Sequence, residues 1–305
     1  MTQARAAILL ESLTRMLTDY HLHLRPDDAA ATPERYFTSA NAEVYREAAS
    51  ARGIAELGVS EHIYRFHQAL EIWRHPFWER YARDDLDDYC RFVREETDLR
   101  LGIEMDFVPG TEDRTAALLD ARELDYVVGS VHFISESEGA VDMEPFTAWD
   151  PKDPRRSAER VWGRYFEAVA ASARSGLFDI IAHPDLVKYW GPAHPDRVPK
   201  RDPRFFYEPT VEAFAEAGVA VEVSTAGLRK PVGEIYPARA FLEMCAEAGV
   251  PVALSSDAHR PEDVGAGYRQ ALELLAEVGI GELAVFEGRA RRLEPVGSLP
   301  EAVAE

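Results

Sequence analysis

Two segments, EAGVAVEV at 216–223 and EAGVPVAL at 247–254, carry the same instruction. A helical stretch ends, a glycine turns the backbone left-handed, and a short run of β-branched and apolar residues begins. Runs of this kind recur along the chain: RMLTDYHLH (15–23), IAELGVSEH (54–62), LRLGIEMDF (99–107), DYVVGSVHFI (125–134), FDIIAHPDL (178–186), VAVEVSTAG (219–227) and VPVALSSDAH (250–259). Between them, 41–52, 84–98, 157–175, 208–217, 237–248 and 263–278 place apolar residues at helical spacing. Seven strands alternating with helices predict parallel pairing through right-handed crossovers, hence an α/β fold. The Pro-rich stretches 144–156 and 190–206 predict long loops at the rim. No repeat, low-complexity tract or linker divides the chain, which predicts one domain over 1–305.

Polar residues with metal-binding chemistry stand where these strands end. Asp19, His21 and His23 alternate in TDYHLHL and so share one face of an extended segment. Glu61 and His62 close the second strand, Glu104 the third, His132 the fourth, His183 the fifth, and Asp257 with His259 the seventh. Each has an ordinary explanation when taken singly. HLH suits a polar surface, SEH a helix start capped by Ser60, and GIEMDF a glutamate paired with an arginine. AHPDL suits a turn before Pro184, and SSDAHRPEDVG a helix N-cap. Jointly they account for six of the nine histidines, all at the end where parallel α/β barrels build their sites. Imidazole with carboxylate suits zinc, manganese or iron. Nine candidate ligands exceed the needs of one tetrahedral ion, so two or three divalent metals sharing a carboxylate are expected. Asp19 reads as a hydrogen-bonding support rather than a ligand.

Composition narrows the partners. Lys plus Arg number 34 and Asp plus Glu 54, a net charge of −20, which disfavours nucleic acid and anionic membranes. The N-terminal AAILLESLTRML (6–17), broken by Glu11 and Arg15, is too short to span a bilayer and lacks a signal-cleavage pattern. Two cysteines, Cys90 and Cys245, form no disulfide framework; they read as packed thiols, and a cytoplasmic location is expected. His67 and His75 fall in an aromatic-rich loop read as a substrate-side rim, and His194 in a Pro-rich loop read as solvated.

DYHLH, SEH, GIEMDF, GSVHFI, AHPDLVKYWG and SSDAH, in this order over about 18–280, resemble the polymerase and histidinol phosphatase (PHP) superfamily. VEVSTAGLRKPVGEIYP followed by LSSDAHRPEDVG is similar to its histidinol-phosphate phosphatase branch. The resemblance implies a distorted TIM-like (β/α)7 barrel forming a single PHP-type metallophosphoesterase domain. It implies a metal-dependent hydrolysis of L-histidinol phosphate to histidinol and phosphate, in histidine biosynthesis. By position, His21, His23, Glu104 and Asp257 would hold one metal, and Glu104 would bridge to a second held by His132 and His183. His62 and His259 would take a third, with a ligand from the loop after the first strand. The family commonly has His or Asp eight residues after the first histidine. Here that residue is Ala29, which leaves Asp27 or Asp28, with Asp28 favoured. Glu104, Asp257 and His259 are the catalytic candidates, and Arg229 would bind the phosphate, with Lys188 either assisting it or salt-bridged to Asp185. Alternatives are a PHP phosphoesterase acting on nucleotides or other small phosphate esters, and a non-enzymatic metal-binding barrel. An amidohydrolase-type barrel also begins with His-x-His but would need a bridging lysine where this chain has Glu104.

Overall fold

The computed structural model describes residues 16–28, 30–134, 139–144, 146–150 and 152–300. Ala29 and most of the apolar stretch 6–17 therefore lie outside the described residues. Seven strands, β1 (Thr18–Asp19), β2 (Glu56–His62), β3 (Arg100–Asp106), β4 (Tyr126–Ser130), β5 (Ile180–Ile181), β6 (Ala220–Ser224) and β7 (Val252–Ser255), pair in sequence order. Every pairing is parallel. The helices between them include α1 (Ser39–Ala51), α2 (Leu86–Glu96), α3 (Glu112–Asp120), α4 (Ala158–Arg174), α5 (Arg204–Ala217), α6 (Arg239–Glu247) and α7 (Tyr268–Glu277).

The first and last strands meet and draw the sheet into a nearly closed barrel. Leu22 bridges Ala258 in parallel, and His23 N–H donates to Ala258 O at 2.8 Å. Asp19 is buried in this seam, where its carboxylate accepts from Ser256 N–H (3.0 Å) and Ser256 Oγ (2.5 Å). The result is the distorted (β/α)7 barrel expected of the chain.

Local chemistry explains where the helices stop and start. Gly218 ends α5 at φ +67°, a conformation that costs glycine little, and its N–H donates to Phe214 O at 2.9 Å. Asp85 caps α2 by accepting from the N–H groups of Asp87 and Asp88 at 2.8 and 2.9 Å.

The foot of the barrel is plugged by an antiparallel hairpin, β8 (Glu282–Glu287) and β9 (Ala290–Pro295), which the sequence reading did not foresee. Phe286 packs edge-on against Tyr20, whose ring lies 4.9 Å from that of Tyr126. The Tyr126 ring fills space left open by two glycines on neighbouring strands. A Cβ on Gly58 or Gly102 would stand 2.4 or 2.3 Å from it. With the foot closed, the open mouth lies at the C-terminal ends of the strands. Among the described residues no helix is long and apolar enough to cross a membrane.

Candidate metal centre

Strand geometry delivers the site. His62 is the last residue of β2 and Glu104 lies in β3, while His132, His183 and Asp257 each stand two residues past the end of a strand. Two of these turn sharply: His183 has φ +23° and Asp257 φ +50°, unusual for residues with a Cβ. Such strain persists only where the surroundings hold it. His183 N–H donates to Glu222 Oε2 at 2.6 Å, and Arg229 Nη2 donates to the carbonyls of Ser256 and Asp257 at 2.6 and 3.2 Å.

Glu104 is the hub. It is buried, and His21 Nε2, His23 Nε2, His132 Nε2 and His183 Nε2 lie 3.4, 3.7, 3.7 and 3.3 Å from its carboxylate; His62 Nδ1 touches it. Asp257 Oδ1 stands 3.7 Å from His21, 3.5 Å from His23 and 3.5 Å from His259. The structure thus brings together His21, His23, His62, Glu104, His132, His183, Asp257 and His259 from six strands' ends.

Asp28 is the exception. Its exposed carboxylate accepts from Ala30 N–H at 2.9 Å and stays outside the cluster. The neighbouring Asp27 faces inward instead, 3.0 Å from His259 Nε2 and 3.7 Å from His62 Nε2, steadied by Arg65 at 2.6 Å. Of the two aspartates open for this position, Asp27 and not the favoured Asp28 meets the histidines, while the Asp28 carboxylate is taken up in the turn to Ala30. Lys188 takes the second of its two readings, a salt bridge to Asp185. Its amine stands 3.1 Å from Asp185 and 3.3 Å from Glu234 and donates to Ile235 O at 2.9 Å. With its charge matched there, it lines neither the cleft nor the chamber at the mouth. Arg229 does line the cleft, a space of about 730 Å³, while holding the Asp257 turn.

Three residues of the site escaped the sequence reading. Glu222 Oε1 lies 2.7 Å from His21 Nδ1 and fixes that ring with Nε2 toward Glu104. Asp106 Oδ1 does the same for His132 Nδ1 at 2.7 Å. A lone charge within the apolar AVEVS, and alternation from Glu104 to Asp106, were the available signals. Lys230, next to Arg229, lines both the outer cleft and an inner chamber of about 90 Å³. His75 packs among Trp73, Phe133 and Phe146 as an aromatic, His67 Nδ1 lies 2.9 Å from Asp84 O, and His194 rests against Trp190.

The donor set fits divalent metal on internal grounds. His21 Nε2, both ring nitrogens of His23 and His183 Nδ1 are buried without a hydrogen-bond partner among the described residues. Leaving such atoms unpaired is costly unless something else binds them. Four groups of three ligand atoms lie within 4.8 Å of one another: His23–His62–His259, His21–His23–Glu104, His21–His183–Asp257 and Glu104–His132–His183. Electrostatics draws the carboxylate and the imidazoles of the cluster in different directions. Burial would raise the Glu104 carboxyl, but His62, His21 and His132 outweigh it and hold it well below its usual range. Burial lowers the His62 imidazole to about 3, keeping it neutral with a lone pair available. On His132 burial acts the same way, but Asp106 and Glu104 prevail and lift it to about 10.

Known proteins share this architecture. A family model for the PHP domain matches residues 19–226. The probable histidinol-phosphatase of Deinococcus radiodurans is 33% identical over 287 residues, covering 92% of this chain and 99% of its own length. The histidinol-phosphatase of Bacillus subtilis is 27% identical over 204 residues, 64% of this chain and 75% of that one. The crystal structure of histidinol phosphate phosphatase from Lactococcus lactis, complexed with zinc, L-histidinol and phosphate, has the same fold. It covers 90% of this chain and 98% of its own at a TM-score of 0.64 and 20% identity. A model matched across six of the seven barrel strands, and a relative aligned along nearly its whole length, establish that this chain belongs to the PHP domain family.

Proposed function

We propose that the protein is a metal-dependent phosphomonoesterase that hydrolyses L-histidinol phosphate to histidinol and phosphate, a cytoplasmic enzyme of histidine biosynthesis. The observation that carries this reading is the convergence of six histidines and three carboxylates at one barrel mouth, with buried donor atoms lacking any partner. The relatives' names point to the substrate. We read the whole chain, 1–305, as one domain, since the hairpin beyond β7 closes the barrel's own foot.

In this reading His21, His23, Glu104 and Asp257 would hold one ion, and Glu104, His132 and His183 a second. His62 and His259, with Asp27, would hold a third; zinc, manganese or iron all suit these donors. Bound divalent metals supply positive charge to a phosphoryl group and lower the pKa of water. The chain's own residues do the rest. Glu222 and Asp106 keep the imidazoles of His21 and His132 in one orientation. Lys230 and Arg229 line the cleft with positive charge, set to offset the negative charge that the outer oxygens of a phosphate carry in the transition state. Tyr64, Phe133, Tyr189 and Tyr236 wall the inner chamber and limit access of bulk water.

Purified protein loaded with manganese, zinc or iron is expected to release phosphate from histidinol phosphate far faster than from glycerol phosphate, sugar phosphates or nucleotides. Equal turnover across that panel, or a preference for nucleotides, sinks the substrate assignment. The net charge of −20 supports a small ester over a nucleic acid.

A further inference from the structure

Two charged side chains on the inner chamber are left without a metal-binding duty: Lys230 and Asp142. Asp142 comes from the stretch between β4 and α4 and belongs to none of the ligand groups. Its Oδ1 is buried and has no hydrogen-bond partner among the described residues. No ion pair within 4 Å joins it to Lys230 among the described residues, although both line the same chamber. Burial pushes its carboxyl up, and His132, His183 and Lys230 offset that only in part.

The backbone that presents this carboxylate is fixed. Val141 N–H donates to His132 O at 3.0 Å. Val141 O accepts from two indoles, Trp149 Nε1 at 2.8 Å and Trp190 Nε1 at 2.7 Å. A carboxylate held this firmly beside the ligand cluster, with an oxygen unsatisfied, is arranged for a donor that arrives with the ligand. The chamber therefore offers one spare cation and one spare anion, the complement of a molecule that carries a phosphate and, two carbons away, an ammonium group.

We infer that Asp142 is a specificity-determining residue that receives the ammonium group of an amino-alcohol phosphate whose phosphate lies at the histidine cluster. This rests on the phosphomonoesterase reading above and deepens it: the site selects the protonated amine, not the imidazole alone. A hydrogen bond between a buried carboxylate and an ammonium is strong, and a site built for such a donor discriminates against a substrate lacking it.

The test compares histidinol phosphate with its deamino counterpart, 3-(imidazol-4-yl)propyl phosphate, and with p-nitrophenyl phosphate, using metal-loaded wild type, Asp142→Asn and Asp142→Glu. The ratio of kcat/KM for histidinol phosphate over the deamino ester is expected to fall about tenfold or more in Asp142→Asn. The loss should appear in KM, and Asp142→Glu should recover part of it. Thermal melts and metal content of the variants should match wild type. Equal losses on both alkyl esters in kcat, with p-nitrophenyl phosphate spared, would make Asp142 a proton donor to the leaving group and overturn the inference. An unchanged ratio, or loss of bound metal, would overturn it as well. If wild type ignores histidinol phosphate yet cleaves other monoesters, the substrate assignment fails separately. The inference then stands or falls on whether wild type prefers 2-aminoethyl phosphate to ethyl phosphate and loses that preference in Asp142→Asn.

Discussion

Asp27 and Asp28 are adjacent, chemically identical and both exposed to some degree, yet only one reaches the histidines. Burial and opposing charge decide what that contact does. Burial would raise the Asp27 carboxyl, but His259, Arg65 and His62 prevail and hold it well below its usual range, ionised. Asp27→Asn is therefore expected to lower metal content by one ion per chain and to cut phosphate release at least tenfold, about the effect of perturbing a metal's immediate surroundings. Asp28→Asn should match wild type in both, since its exposed carboxylate accepts a turn hydrogen bond from Ala30 N–H and meets no histidine among the described residues. Metal analysis of the two purified variants checks this, and equal metal content would remove Asp27 from the ligand set. The same scale shows what a sequence can reveal about the site. Histidines at strand ends were legible because strand register and residue type coincide. Glu222 was not, because one glutamate in AVEVS reads as an oddity of a buried strand until the barrel places it 2.7 Å from His21. The choice between Asp27 and Asp28 depended on the conformation of a short loop, which spacing does not encode.

Elements follow the same division. The seven strands were legible as Val- and Ile-rich runs, but β1 and β5 keep only two paired residues each. Ladder pairing needs both neighbours in register, and His183 leaves its strand at a positive φ to face Glu104. The β8–β9 hairpin was not legible because one strand is largely exposed and carries no apolar pattern. Its turn depends on Gly288 and Arg289 both at positive φ, the primed geometry that suits twisted strands. What that hairpin seals is tightly packed: the Tyr126 ring occupies the room that Gly58 and Gly102 vacate. Gly102→Ala should therefore destabilise the fold by about 1–3 kcal/mol, the cost of overpacking a filled core. Urea unfolding checks it: the midpoint should fall while the slope stays unchanged. A wild-type midpoint would mean that the ring has freedom to move away.

At the scale of the whole molecule, the mouth and the foot of the barrel place opposite demands on stability. The foot closes with apolar packing and needs nothing added. The mouth gathers Glu104, Asp257 and Asp27 in one place, with buried imidazole nitrogens that have no hydrogen-bond partner among the described residues. Within a chain of net charge −20, removing cations from that cluster leaves repulsion and unmet desolvation that only the folded state suffers, because unfolding returns these groups to water. Ions that bind the folded chain and not the unfolded one must then stabilise it. At a free concentration a hundredfold above the dissociation constant the gain is about 2.7 kcal/mol. Chelation is accordingly expected to lower the melting temperature by several degrees and to abolish phosphate release, with zinc or manganese restoring both. The two readouts should recover together as metal is titrated back, since the same ligands serve stability and turnover. A chelated protein shown by metal analysis to be empty, yet melting where the loaded one does, would mean that these donors are satisfied within the protein and that the cluster is not a metal centre.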